Sequence, residues 1–288
     1  MHEMVAGIIR TVPSLRQALL DGARQRFDEQ VRRYVGLGLD ETIERVPSFV
    51  TSSVRQTIAC FRPEEKYSRR GQKAVMLVPG LFCMPSVFNR LGIELQDRGL
   101  DVYLPRPFPL GYWLFANTFR VDQTVEALLE DLERLRDEGL ESLSLAGHSL
   151  GGIIVVRALQ KAESEGRRIP QVDKVVAIAS PLRGAPIAAL LRSLVPACRD
   201  IAPGAKTLTE IEPALERVTD FLVSDFDLLV PFAANCIDSS KSTVLPRIQH
   251  SDFYVGTPEE VALTADTLFQ ILTKDSSGAA APDQSVRR

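Results

Sequence analysis

Histidine is scarce in this chain: three residues, His2, His148 and His250, among 288. Any chemistry that needs an imidazole must draw on one of them. The four cysteines, Cys60, Cys83, Cys198 and Cys236, show neither Cys-x-x-Cys nor Cys/His spacing. That excludes the usual zinc and redox motifs, so buried thiols and no metal or other cofactor are expected. No stretch approaches the roughly 20 apolar residues that cross a bilayer. The run from Met4 to Ile9 is cut by Arg10 and is shorter than a signal-peptide core, which makes a cytoplasmic location the expectation. No dense Lys/Arg cluster offsets the net charge of −3, so a nucleic-acid partner is not expected and no strong pull toward an anionic membrane is implied. No internal repeat is visible. What remains, 45% hydrophobic and 25% charged residues, is a composition able to build one principal domain with a full core.

One stretch organises the rest. Ala146-Gly147-His148-Ser149-Leu150-Gly151-Gly152 follows the apolar Leu143 and Leu145 and precedes an apolar helical stretch. Gly-x-Ser-x-Gly between strand and helix is the pattern of a nucleophile elbow. The serine occupies a tight turn, and small residues two positions either side let strand and helix pass closely.

The chain before and after this point alternates short apolar runs with amphipathic helices. Strands are expected at Ala74–Val78, near Val102–Leu104, at Leu143 and Leu145, at Val175–Ile178 and at Phe221–Val223, and helices at about 86–98, 122–138, 150–163 and 258–272. Such alternation predicts an α/β fold, a mostly parallel sheet covered on both faces. Residues 73–274 form this domain. Residues 1–72 read as an amphipathic helical extension and linker. One stripe runs from Ile8 to Tyr34, and a second segment follows through Ile43, Val46, Val50, Val54 and Ile58, with Asp40 as its N-cap and Pro47 expected to bend or split it. Two readings of the extension stand open: helices packed on the domain, or an apolar surface for a membrane or a partner protein. Residues 275–288 have the composition of a disordered tail.

A serine hydroxyl is a weak nucleophile until a base takes its proton, and a histidine oriented by a carboxylate is the common solution. His2 lies at the chain's extreme and His148 adjoins the serine, which leaves His250 as the base for Ser149. An elbow of this kind takes its acid from between serine and histidine in chain order. Asp227, in Ser224-Asp225-Phe226-Asp227-Leu228-Leu229-Val230-Pro231, is the choice, with Asp225 as the alternative. The oxyanion would be met by the backbone N–H of Leu150 and by that of Leu81, which follows the glycine of Val78-Pro79-Gly80-Leu81-Phe82.

With these residues in hand, the chain resembles the α/β-hydrolases of the lipase and esterase group. The resemblance rests on Val78-Pro79-Gly80-Leu81, on Gly147-His148-Ser149-Leu150-Gly151-Gly152, on Asp227-Leu228-Leu229-Val230-Pro231 and on His250. Ser180-Pro181-Leu182-Arg183-Gly184 is similar to a turn that bacterial triacylglycerol lipases carry as Thr-Pro-His-x-Gly. Pro79-Gly80 stands where many relatives have His-Gly. The resemblance implies hydrolysis of carboxylic esters through an acyl-enzyme, on a small-molecule or lipid ester. The same machinery also serves acyl transfer and thioester cleavage, and a noncatalytic lipid- or partner-binding protein is the remaining reading. Phe82, the aromatic run around Trp113, and the stripe Ile187, Leu190, Leu191 and Leu194 are candidates for an acyl pocket, the last of these within a cap over residues 182–220.

Overall fold

A computed structural model of the chain describes residues 39–63, 65, 67, 73–106, 121–235 and 237–274, together with residue 25. Helix α1 (Leu39–Cys60) precedes strand β1 (Ala74–Val78), helix α2 (Asn89–Asp97) and strand β2 (Asp101–Tyr103). Helix α3 (Val121–Asp137), strand β3 (Ser142–His148), helix α4 (Leu150–Glu165) and strand β4 (Gln171–Ile178) follow. Short helices α5 (Pro186–Leu191), α6 (Cys198–Ile201) and α7 (Lys206–Ile211) lead to strand β5 (Asp220–Ser224). Helix α8 (Phe232–Asn235), strand β6 (Ser242–Leu245), helix α9 (Asp252–Val255) and helix α10 (Pro258–Thr273) complete the fold.

The six strands form one sheet in the order β2-β1-β3-β4-β5-β6, and every pair is parallel. A parallel sheet buries both faces, and β1 shows how. All five of its residues are buried. Met76 and Val78 join the cluster built on α3 and α4, while Val75 and Leu77 join the cluster built on α2 and α10. Helix α10 starts at a capping box in which the Thr257 side chain and Glu260 satisfy each other's backbone N–H groups.

Two elements differ from the sequence reading. Helix α1 runs unbroken through Pro47, so the expected split does not occur. Strand β6 was not expected, because it is a polar edge strand with Thr243 and Val244 exposed, too short and too wet for a hydrophobic pattern. Among the described residues, no helix is long and apolar enough to cross a membrane.

Parallel pairing brings the C-terminal ends of the strands to one edge. Val78 is in register with Gly147, and Gly147 with Ala177. The turns after β1, β3 and β4 therefore open side by side, at the place where α/β sheets bind their ligands.

Candidate active site

Ser149 sits between β3 and α4 with φ 54 and ψ −126, a left-handed conformation rare for a residue with a Cβ. The surrounding backbone is closely packed. A Cβ on Gly147 would lie 2.5 Å from the nitrogen of Gly152, and the Ser149 N–H is tied to the Ile178 carbonyl at 2.8 Å. Ser180 closes the same turn from β4, its hydroxyl donating to the Gly147 carbonyl at 3.0 Å. Leu150 begins α4, so its N–H has no intrahelical acceptor.

The turn after β1 is pressed against this elbow. A Cβ on Gly80 would fall 2.7 Å from Ser149 Cβ and 2.9 Å from the His148 carbonyl oxygen. Glycine is thus required by proximity, and Leu81 and Phe82 follow it directly. Phe82 takes a positive φ of 57 and keeps 44% of its surface exposed.

Asp227 and His250 form the second part of the site. Asp227 is buried, with Oδ1 accepting from the N–H groups of Leu229 at 2.8 Å and Val230 at 2.9 Å. Its other oxygen, Oδ2, lies 2.7 Å from His250 Nδ1. Two amides therefore aim the carboxylate at the imidazole, and a neutral His250 that donates from Nδ1 keeps a lone pair on Nε2. Asp225 is used differently: its Oδ1 accepts from the N–H of Arg247 at 2.8 Å. Ser149 and His250 border the same cavity, with no hydrogen bond between them among the described residues. In enzymes lacking substrate such contacts are often open.

That cavity has a volume of about 1020 Å³. Leu81 and Phe82 border it on one side, and Ile187, Ala188 and Leu191 of α5 on another. Leu190 belongs to α5, although its side chain lies outside the described residues. Trp113 and its aromatic neighbours, the tail from 275, and residues 1–24 with 26–38 also lie outside them. Leu194 is 81% exposed and does not line the cavity.

Three features of the site were not legible in the sequence. His148 is buried and its Nε2 lies 2.7 Å from the His250 carbonyl. Burial, then the neighbouring His250, hold its pKa well below the usual imidazole value. It is therefore the neutral imidazole that donates to the carbonyl. Cys83 is buried at the cavity wall, where burial and the nearby Cys60 push its thiol up to about 12. It is a neutral thiol, accepting from Gln56 Nε2 at 2.9 Å. Finally, α1 grips the histidine loop on both sides. Gln249 Nε2 donates to Ser48 Oγ at 2.8 Å, the Ser251 hydroxyl donates to Gln56 Oε1, and Arg55 Nη1 pairs with Asp252 Oδ1 at 3.5 Å. Arg45 of α1 and Arg247 each lie over the ring of Phe226, 4.9 Å from its centroid, beside Asp227.

The all-parallel sheet, the strained serine elbow and the helices on both faces are those of the α/β-hydrolase fold. Three solved structures show the likeness. A lipase from Bacillus licheniformis, BlEst2 in its mature form, superposes with a TM-score of 0.55 at 14% identity, covering 73% of this chain and 96% of that one. Lipase B of Aspergillus fumigatus gives 0.55 at 16% identity over 74% of this chain and 56% of that one. The phospholipase PlaB of Legionella pneumophila gives 0.54 at 17% identity over 70% of this chain and 59% of that one. No protein-family model matches the sequence, and no curated protein matches it.

Proposed function

We propose that this chain is a serine hydrolase that cleaves carboxylic esters of apolar acyl groups through an acyl-enzyme. The observation that carries this reading is the buried Asp227–His250 pair, whose imidazole borders one cavity with a serine held in a strained elbow. Ser149 Oγ attacks the ester carbonyl while His250 Nε2 takes its proton. Asp227 fixes the tautomer and stabilises the imidazolium. The N–H groups of Leu81 and Leu150 receive the oxyanion, each worth on the order of 10²–10³ in turnover. Collapse of the tetrahedral intermediate expels the alcohol, which takes the proton from His250. Water, deprotonated by the same imidazole, then frees the acid. The apolar walls given by Ile187, Leu191 and Phe82 accept the acyl group without unpaired polar atoms.

The test is fluorophosphonate labelling of the intact chain beside a panel of p-nitrophenyl esters and acyl thioesters. Labelling is expected in the wild type and absent in Ser149→Ala, whose ester turnover falls by about 10⁶. Retained turnover in that variant would end the assignment. A panel in which only thioesters are cleaved would move it to thioester chemistry.

A further inference from the structure

The outward face of α1 is apolar and carries no charge over most of its length. Val46, Val50, Val54 and Ile58 recur at steps of four, and each keeps between 42% and 55% of its surface exposed. Phe61, one residue past the helix, is 84% exposed. Arg45, just before the stretch, is buried over Phe226, and Arg55, the one charged residue within it, is half-buried and reaches Asp252. A solvated helix face would carry charges at these positions.

This face leads to the catalytic cavity. Phe61 and Cys60 border the cavity, as does Phe82. Cys60 Sγ lies 3.7 Å from the Phe82 carbonyl oxygen, so the loop after β1 meets the end of α1 at the mouth. The strip is about 25 Å long, at 1.5 Å per residue, and about 10 Å wide. The resulting footprint, on the order of 250 Å², falls well short of the roughly 800 Å² per partner that a stable protein dimer buries. A narrow uncharged strip of β-branched side chains running into an apolar cavity suits an apolar liquid surface better than a shaped protein partner.

We propose that the outward face of α1, continued by Phe61 and Phe82, docks on the surface of a phospholipid bilayer and turns the mouth of the cavity toward it. The inner face of the same helix holds the loop of His250, so the docked helix and the site move as one body. With no cation between Val46 and Val54, and with Arg62 beside Phe61 at the mouth, attachment depends chiefly on apolar contact and little on anionic headgroups. This proposal rests on the ester-hydrolase reading only for the substrate that the bilayer would supply.

The test is co-sedimentation of the full chain with phosphatidylcholine vesicles, at low salt and in 0.5 M NaCl. The wild type and Ser149→Ala are expected to bind equally, with little loss at high salt. The triple variant V46E/V50E/V54E, altered only at exposed positions outside the cavity, is expected to bind at least about tenfold more weakly. Its melting temperature and its turnover of p-nitrophenyl acetate should equal those of the wild type. Wild-type protein that stays in the supernatant overturns the proposal, as does a triple variant that binds as well as wild type. A fall in melting temperature would show the face already covered within the folded chain, and a dimer that the variant converts to monomer would assign it to a second copy. Either result overturns the bilayer as the occupant. Vesicle binding without ester turnover would retain the docking face and reject the hydrolase reading.

Discussion

The side chain of His148 donates from Nε2 to the carbonyl oxygen of His250 at 2.7 Å, and the two rings are tilted by 51° with centroids 4.6 Å apart. The residue adjoining the serine thus holds the backbone of the residue proposed as its base. A shift of the elbow is passed to the histidine loop through one short hydrogen bond, so serine and imidazole keep their relative placement. His148→Gln, which retains a donor, is expected to keep turnover within several-fold of wild type, whereas His148→Leu should lose about 10²-fold, the scale of a 1 Å misplacement. Equal turnover in both variants, measured on a soluble ester, would show that the bond positions nothing.

The same histidine gives the fold a dependence on pH. Its folded-state pKa lies below the value of 6.5 expected for an exposed imidazole, because burial disfavours the charge. As pH falls through 6.5 the unfolded chain takes up the proton while the folded one does not. His148's share of stability is therefore fully present above that pH and is lost on acidification, at about 1.4 kcal/mol per pH unit. Urea unfolding at pH 7, 6 and 5 should show wild type losing stability with a steeper slope than His148→Gln. Parallel slopes would contradict the neutral buried imidazole.

The two aspartates of the turn after β5 should separate cleanly. Asp227→Asn leaves an amide facing His250 Nδ1 and disturbs the tautomer, with an expected loss of about 10⁴ in kcat. Asp225→Asn keeps an oxygen that can accept from the Arg247 N–H and should turn over within about twofold of wild type, since a conserved hydrogen bond away from the reacting atoms changes little. Steady-state kinetics on one soluble ester decides between them, and the reverse ranking would exchange their roles.

Gly80 offers a probe of the oxyanion turn. Alanine there would place its Cβ 2.7 Å from Ser149 Cβ, forcing the turn away from the elbow. Turnover should fall by about 10²-fold while a folded protein persists. Active-site titration with a fluorophosphonate would show slowed labelling, and wild-type labelling rates would exclude Leu81 as a donor.

How far the sequence led depends on whether a feature is local. The elbow was readable because Gly147, Ser149 and Gly151 are close in sequence and each glycine answers a steric need. Strands β1, β3, β4 and β5 announced themselves as apolar runs. Strand β6 did not, since an edge strand with two exposed residues has no pattern to read. The bond from His148 to the His250 carbonyl spans 102 positions, and the contact of Gln249 with Ser48 spans 201. Such pairings follow from the folded path of the chain and from no spacing along it. Pro47 misled for the opposite reason: local propensity argued for a break, and packing of α1 on the domain overrode it.

The grip of α1 on residues 249–252 also bears on when the site matures. The helix leaves the ribosome about 200 positions before the loop it clasps. A nascent chain that has emerged only through the serine elbow still lacks the imidazole of His250, so the proposed mechanism has it hydrolytically silent until the loop at 249–252 has emerged and been clasped. On the proposed mechanism, the docking of α1 onto residues 249–252 is the step at which the catalytic pair gains its support.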